Sequence, residues 1–379
     1  PYRTASGIIW DKFAFQACLA GACEEADYLT LVKERDAARA AGRWVGIGLA
    51  SYAELTGIGS RISVAPGMPI NTGTETSRIE IDSTGSVTAA FGVASHGQGL
   101  ETTLAQVVAD ELGCSLEDIQ IQHGDSALVP MSSGTYASRS AVLGGGAATL
   151  AARAVKAKVL RAAAYLMEQE ITDLDIHDGI ISSRNSNLTM TLKEVATAVY
   201  KQMGRIPREQ REDLLASETY DPFLGTASSS THLVMVEVDP GTYGVRILRY
   251  VVAEDCGKII NPLIVDGQIH GAVAQGIGAA LLEEVVHDDQ GQAVTASLAD
   301  YLVPVATSIP DIGIVHIEAE LPNNIGGFRG MGEGGTIGAP AAVANAVSDA
   351  LSHLGVSVET LPITPERIFR LLEGRTSRR

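Results

Sequence analysis

Ile79-Glu80-Ile81-Asp82 and Val236-Glu237-Val238-Asp239 carry the same alternation of β-branched and acidic residues. A period of two suits a strand that buries one face. Each stretch is followed, across a glycine-containing turn, by a second apolar run: Val87–Val93 in the first case and Val245–Val252 in the second. The first pair leads through a glycine loop into a predicted helix over Leu100–Leu112. The recurrence predicts an α+β fold made of two duplicated lobes.

Around these pairs the chain divides into three stretches. Residues 1–72 form an amino-terminal helical and strand connection: helix from about 10 to 43, the apolar strand Val45–Ala50, and a Gly/Ser/Pro-rich connection near 57–74. Residues 73–224 form the first lobe, with a linker predicted to be mostly polar and helical from about 155 to 215. Residues 225–379 form the second lobe.

Charge excludes one class of partner. Acidic residues outnumber basic ones 45 to 28, for a net charge of -17, and Lys and Arg form no cluster, so nucleic acid is not an expected ligand. No run of 18 apolar residues appears, which predicts no membrane span and a soluble, cytoplasmic protein. The chain begins with Pro1 rather than Met, as expected of a processed chain or a piece of something longer. The four cysteines, Cys18, Cys23, Cys114 and Cys256, contain no CxxC pair and read as packing or inert thiols. Any iron-sulfur cluster is therefore expected on a partner.

Glycine, at 40 residues, concentrates just before helices. Gly97-Gln98-Gly99 joins a strand to a helix, where free N–H groups bind an anion or simply turn the chain. Gly134-Thr135-Tyr136-Ala137-Ser138-Arg139-Ser140 runs on to Gly144-Gly145-Gly146 and a long Ala-rich helix. Its hydroxyls and Arg139 suit a phosphate, or alternatively a capped surface loop. Gly267–Gly278 carries small residues for close helix packing, with His270 read as a packed or capped histidine at no metal-ligand spacing.

The sharpest segment is Gly330-Met331-Gly332-Glu333-Gly334-Gly335. Its glycines spell GxGxxG, so a nicotinamide dinucleotide site is one alternative. Leu321-Pro322-Asn323-Asn324-Ile325 does not read as the strand such a site needs, and Pro340 is expected to delay the helix. Glu333 would also face a pyrophosphate. A glycine-flanked carboxylate serves better as a base beside a bulky cofactor, with a solvated loop Glu as the plain alternative.

Together these segments resemble the molybdenum-binding subunits of the xanthine dehydrogenase, carbon monoxide dehydrogenase and aldehyde oxidase family. The resemblance rests, in the family's order, on Gly97–Thr103, Gly134–Ser140, Asp255–Pro262, Gly271–Gly278, Asp300–Pro304 and Gly330–Gly335. It implies a carboxy-terminal half of such a subunit, with molybdenum held by the dithiolene of a molybdopterin, usually as the cytosine dinucleotide. It implies that Gly97, Gln98, Gly99, Gln275 and Gly332 approach the pterin, and that Thr135, Tyr136, Ala137, Ser138, Arg139 and Ser140 hold the phosphate and nucleotide. Glu333 would be the base that takes a proton from metal-activated water during hydroxylation of an electron-poor carbon.

Electrons would leave through a [2Fe-2S] subunit and a flavin (FAD) subunit. A further polypeptide would supply the other half of the molybdenum subunit, and the substrate would be a small molecule. A non-catalytic assembly homologue is the remaining alternative, disfavoured by the intact Glu333 segment.

Overall fold

Two four-stranded sheets carry the fold, each built on one of the strand pairs read from the sequence. The computed structural model describes all residues except 1, 4, 6–8, 11, 61–72 and 377–379. Pro1 and most of the expected 57–74 connection therefore lie outside the described residues.

The chain opens with a short antiparallel ribbon, β1 (Tyr2–Arg3) with β2 (Ile9–Trp10). Helices α1 (Phe15–Glu25) and α2 (Tyr28–Ala40) lead to the long strand β3 (Trp44–Thr56). The first lobe follows: β4 (Glu75–Ile81) and β5 (Val87–Phe91) as an antiparallel pair, α3 (Leu100–Leu112), and β6 (Ile119–His123) parallel to β5. Then come α4 (Gly145–Met167), a small sheet of β7 (Leu174–His177), β8 (Ile180–Ser183) and β9 (Thr189–Thr191), α5 (Leu192–Lys201) and β10 (Leu215–Tyr220). The second lobe holds β11 (Thr226–Val238) paired antiparallel with β12 (Val245–Asp255), α6 (Pro262–Leu281), β13 (Ile312–Ile317) parallel to β12, α7 (Gly334–Leu351) and α8 (Pro365–Thr376).

The duplication is explicit in the topology. The first sheet runs β10-β4-β5-β6 and the second β3-β11-β12-β13, each an outer antiparallel strand, a hairpin and a parallel strand reached through a helix. The outer strand comes from after the unit in the first lobe and from before it in the second. Thus Trp44–Thr56, from the amino-terminal stretch, pairs along the whole of β11.

The two sheets are covered differently, and the strand patterns follow. In the first, Ile79, Ile81, Val87, Ala89 and Phe91 pack on residues of α3 and α4 such as Leu104, Val108, Ala151 and Val155. The second has α6 and α7 against Val234, Val236 and Val252, while Cys18 and Ala22 of α1 pack with Leu233, Met235, Val251 and Ala253 on the other face. Strand β11 is consequently buried at nearly every residue, as expected of a strand enclosed on both sides.

Two expectations need correction. The 155–215 stretch is not mostly helical: α4 ends at Met167, and β7–β9 intervene before α5. Polarity misled here, because short strands that bury only Leu174, Ile176 and Ile181 show little periodicity. Nor does Pro340 delay its helix. Helix α7 starts at Gly334 and contains Pro340 in its interior, where packing on α6 and β3 overrides the cost of the missing N–H.

Candidate active site

The four glycine segments converge on one cavity between the lobes, about 480 Å³ in volume, within the usual range of about 300–1,000 Å³ for ligand pockets. The first lobe contributes His96–Thr103 and Thr135–Ala141, and the second contributes Cys256–Gln268 and Arg329–Glu333.

At the start of α3, Gly97 (φ 98°) and Gly99 (φ 74°) occupy left-handed conformations that suit glycine. A Cβ on Gly97 would meet no protein atom within 4 Å, so open space lies beside this turn. A Cβ on Gly99 would instead meet the Ile264 side chain at 2.7 Å. The Gln98 carbonyl oxygen accepts the His96 N–H, leaving its amide group as a donor at the cavity wall.

The second loop is braced from within. Thr135 Oγ1 accepts from the Ala94 N–H at 2.9 Å and donates to the Ala94 carbonyl at 2.8 Å, tying the two loops of this lobe together. Ala137 and Ser138 both hold positive φ, near 49° and 48°, a costly conformation for residues with side chains. The result places Ser138 Oγ 3.0 Å from the backbone N–H of Glu333, which donates to it. Ser140 then enters a π-helical turn, Ser140–Gly144, ahead of α4.

Arg139 lines the cavity, but its guanidinium is engaged inside the protein. Nη1 pairs with Glu75 Oε2 at 3.0 Å, with both side chains fully buried, and also donates to the Gly134 carbonyl. Nη2 donates to the Thr74 carbonyl at 2.7 Å. The expected phosphate cation therefore acts as the loop's anchor. Lys258, which is exposed on the opposite wall, forms no ion pair among the described residues. It lies within the Asp255–Pro262 segment, where sequence reasoning assigned it no role.

Glu333 is the N-cap residue of α7, exposed at the cavity edge beside Gly332. The loop leading to it is fixed by Arg329, whose Nε lies 3.3 Å from Asp255 Oδ2 in a buried pair and whose backbone N–H donates to the Cys256 carbonyl at 2.9 Å. The flanking glycines mostly admit protein rather than ligand. A Cβ on Gly330 would sit 2.1 Å from the Ser138 carbonyl, and one on Gly334 would sit 2.8 Å from the Tyr52 hydroxyl. Of this loop's glycines, only Gly332 lines the cavity.

Two further residues singled out from the sequence lie away from the cavity lining. Gln275 is exposed and does not line the cavity, whereas Gln268 does, with Nε2 3.4 Å from the Gly332 carbonyl. Seven residues return a helix to nearly the same face about 10 Å farther along its axis, so both glutamines share a stripe and only the one near the start of α6 reaches the cavity. His270, read as packed or capped, is exposed on α6.

Sequence reasoning also missed Glu54, a β3 carboxyl that is only 7% exposed. Burial, with the Glu333 carboxyl as a neighbour, pushes it up to about 7. Its only sequence signal was an acidic residue in an otherwise apolar and hydroxyl-bearing strand.

Comparison with known proteins accords with this arrangement. The chain matches the molybdopterin cofactor-binding domain over residues 21–310 and belongs to that family. It is 37% identical over 377 residues to the nicotine 6-hydroxylase large subunit of Paenarthrobacter nicotinovorans, covering 99% of this chain and 46% of that one. It is 32% identical over 378 residues to the carbon monoxide dehydrogenase large chain of Hydrogenophaga pseudoflava, covering 98% and 46%.

Among solved structures, quinoline 2-oxidoreductase from Pseudomonas putida 86 superposes with a TM-score of 0.92 at 41% identity, over 98% of this chain and 47% of that one. The chain thus spans about half the length of the curated relatives it matches.

The GxGxxG alternative has no structural footing. Residues Ile325–Gly327 form a 3-10 turn rather than a strand, and β13 ends well before, at Ile317. Among the described residues no group of three or more His, Cys, Asp and Glu is placed to hold a metal ion, and no helix is long and apolar enough to cross a membrane.

Proposed function

We propose that this chain forms the cofactor-holding half of a molybdenum hydroxylase, with Glu333 as general base. One observation carries the reading: the loops ending in Gln98, Ser138 and Glu333 meet at a single cavity although they come from different lobes.

The residues present fit a molybdopterin. Such a group brings its own sulfur ligands, so it asks the protein for amides, hydroxyls and a cation rather than a metal cage. Gln98, Asn261, Gln268, Ser140 and Lys258 at the cavity wall supply these, and the open space beside Gly97 leaves room for close backbone approach. Gly97–Gly99 and Gln268 would hold the pterin, while Thr135–Ser140 and Lys258 would hold the phosphate and the cytosine nucleotide. When bound, the group supplies oxygen-transfer and two-electron redox chemistry. The chain's own part is to hold the group with amides, keep Glu333 at the cavity edge, and accept a proton there.

N-heteroaromatic compounds are the favoured substrates. Relatives named for nicotine and quinoline share 37% and 41% identity with this chain, against 32% for the carbon monoxide dehydrogenase relative. The working enzyme would include a polypeptide with the other half of the subunit, a [2Fe-2S] subunit and an FAD subunit. One feature supports partners: the connection between α6 and β13 exposes Val285, Leu298, Leu302 and Val305.

Metal and nucleotide analysis of the natively purified assembly tests this. Molybdenum and a pterin nucleotide stoichiometric with this chain are expected. Freshly isolated, active assembly without molybdenum would overturn the proposal.

A further inference from the structure

A row of polar side chains runs across the second sheet beneath the start of α7, where a protein of this kind would ordinarily place apolar ones. Ser230 of β11 stands directly opposite Tyr52 of β3 on one side and Glu254 of β12 on the other. Two residues along, Ser228 stands opposite Glu54. Ser228, Ser230 and Glu254 are fully buried, and Glu54 nearly so.

The Tyr52 hydroxyl donates to the Gly334 carbonyl at 2.5 Å, at the first turn of α7, and its oxygen lies 3.0 Å from Glu254 Oε2. Ser228 Oγ donates to Glu54 Oε2 at 3.3 Å. The row therefore passes from the buried Glu254, through Tyr52 and Glu54, to Glu333 at the cavity.

The titratable groups that face Glu54 are Glu333 from α7, Glu254 from β12 and Tyr52 on its own strand; its other neighbours are the hydroxyls of Ser138 and Ser228. The buried Arg329 guanidinium nearby is held by Asp255. Tyr52 and Thr56, which flank Glu54 on the same face of β3, bond the Gly334 carbonyl and the Gly330 N–H on either side of Glu333, so Glu54 lies beneath the loop that carries Glu333; of two neighbouring carboxyl groups, the second ionises less readily. The enclosed member keeps the proton, because charge is costlier there.

We propose that Glu54 is a positioning residue for Glu333: a neutral, buried carboxyl that donates a hydrogen bond to the Glu333 carboxylate and holds it aimed at the cavity. The resting pair holds one proton, on Glu54. A proton taken from the cavity goes to Glu333, and it leaves from Glu333 to solvent, because Glu54 is already occupied. Tyr52, Ser230 and Glu254 form the rigid floor that keeps Glu54 in place. Burial holds Glu254 protonated as well, pushed up to about 8, so it adds no charge beside Glu54 at neutral pH.

The inference rests on the proposed role of Glu333, and its test reads proton occupancy rather than turnover. Difference infrared spectra of the assembled protein, recorded against pH, would compare the protonated-carboxyl stretch in the parent, Glu54→Gln and Glu333→Gln. A band present at pH 6 in the parent and lost on alkaline titration is expected to be absent from Glu54→Gln. In Glu333→Gln the same band should persist but titrate at least about one pH unit lower, because a like charge has been removed. A Glu54 band unmoved by Glu333→Gln, or no band assignable to Glu54 at pH 6, would overturn the proposal.

If Glu54→Gln fails to assemble, Glu254→Gln removes the other protonated-carboxyl band, and the remaining band, followed with and without Glu333→Gln, decides it. The outcomes separate from the parent reading. Molybdenum present with an unresponsive band removes the inference only, whereas a responsive band without molybdenum removes the hydroxylase reading only.

Discussion

Replacing Gly48 by alanine should move the helix that carries Glu333. Gly48 lies on β3 where the strand runs under α7, and a Cβ there would sit 2.2 Å from the Ala342 carbonyl oxygen and 2.3 Å from the Ala346 nitrogen. Real Cβ contacts essentially never fall under 3.0 Å, and both partners are helix backbone, so no rotamer change can relieve the clash. Strand and helix must separate by about 1 Å, which overpacking data place at roughly 1–3 kcal/mol, here toward the upper end.

Because Glu333 caps α7, the displacement reaches the site. A misplacement of about 1 Å in a catalytic group commonly costs on the order of 10²-fold in rate. Thermal midpoint and kcat/KM, both measured on the assembled protein at matched cofactor content, should fall together for Gly48→Ala. Gly204→Ala is the control, since its Cβ would meet nothing within 4 Å, and it should change stability by less than about 0.5 kcal/mol. A Gly48→Ala protein as stable and active as the parent would refute the close-packing argument.

Two further outcomes follow from buried charge. Glu75→Gln leaves the fully enclosed Arg139 guanidinium without its ion partner, and the expected loss of about 3–5 kcal/mol should appear as poor assembly together with loss of the bound nucleotide; normal assembly would show that the pair does not anchor the loop. His232 is fully enclosed, its Nδ1 lies 2.9 Å from the Tyr250 hydroxyl, and burial lowers it to about 3 from 6.5. The folded state thus disfavours its protonation, so this contribution to stability is intact above about pH 6.5 and is lost as pH falls toward 3. His232→Gln should flatten the acid-side fall in thermal midpoint across that window, and an unchanged profile would contradict the assignment.

The duplicated lobe was legible because β4 and β11 each carry an alternation that their hairpins preserve. The glycine loops were legible as turns, and the structure brings Gln98, Ser138 and Glu333 to one cavity. Their glycines were legible only as positions needing small residues. Whether a ligand or a protein backbone fills the space beside Gly330 or Gly334 depends on β3 and the 134–140 loop, which are distant in sequence.

Arg139 illustrates the same limit. A loop arginine suits a phosphate by chemistry, but Glu75 engages it from a strand 64 positions away, and no local pattern announces that pairing. Glu54 was passed over because strand periodicity says which face a residue takes, not what waits there. The neighbours that give it meaning, Ser228 across the sheet and Glu333 at the start of a distant helix, come together only on folding.

The central claim is that Glu333 accepts the proton. Glu333→Gln keeps size and hydrogen bonding while removing that capacity, so turnover should fall about 10²- to 10⁴-fold in assembled protein whose molybdenum content matches the parent's. Turnover within a few-fold of the parent at matched molybdenum would contradict the claim.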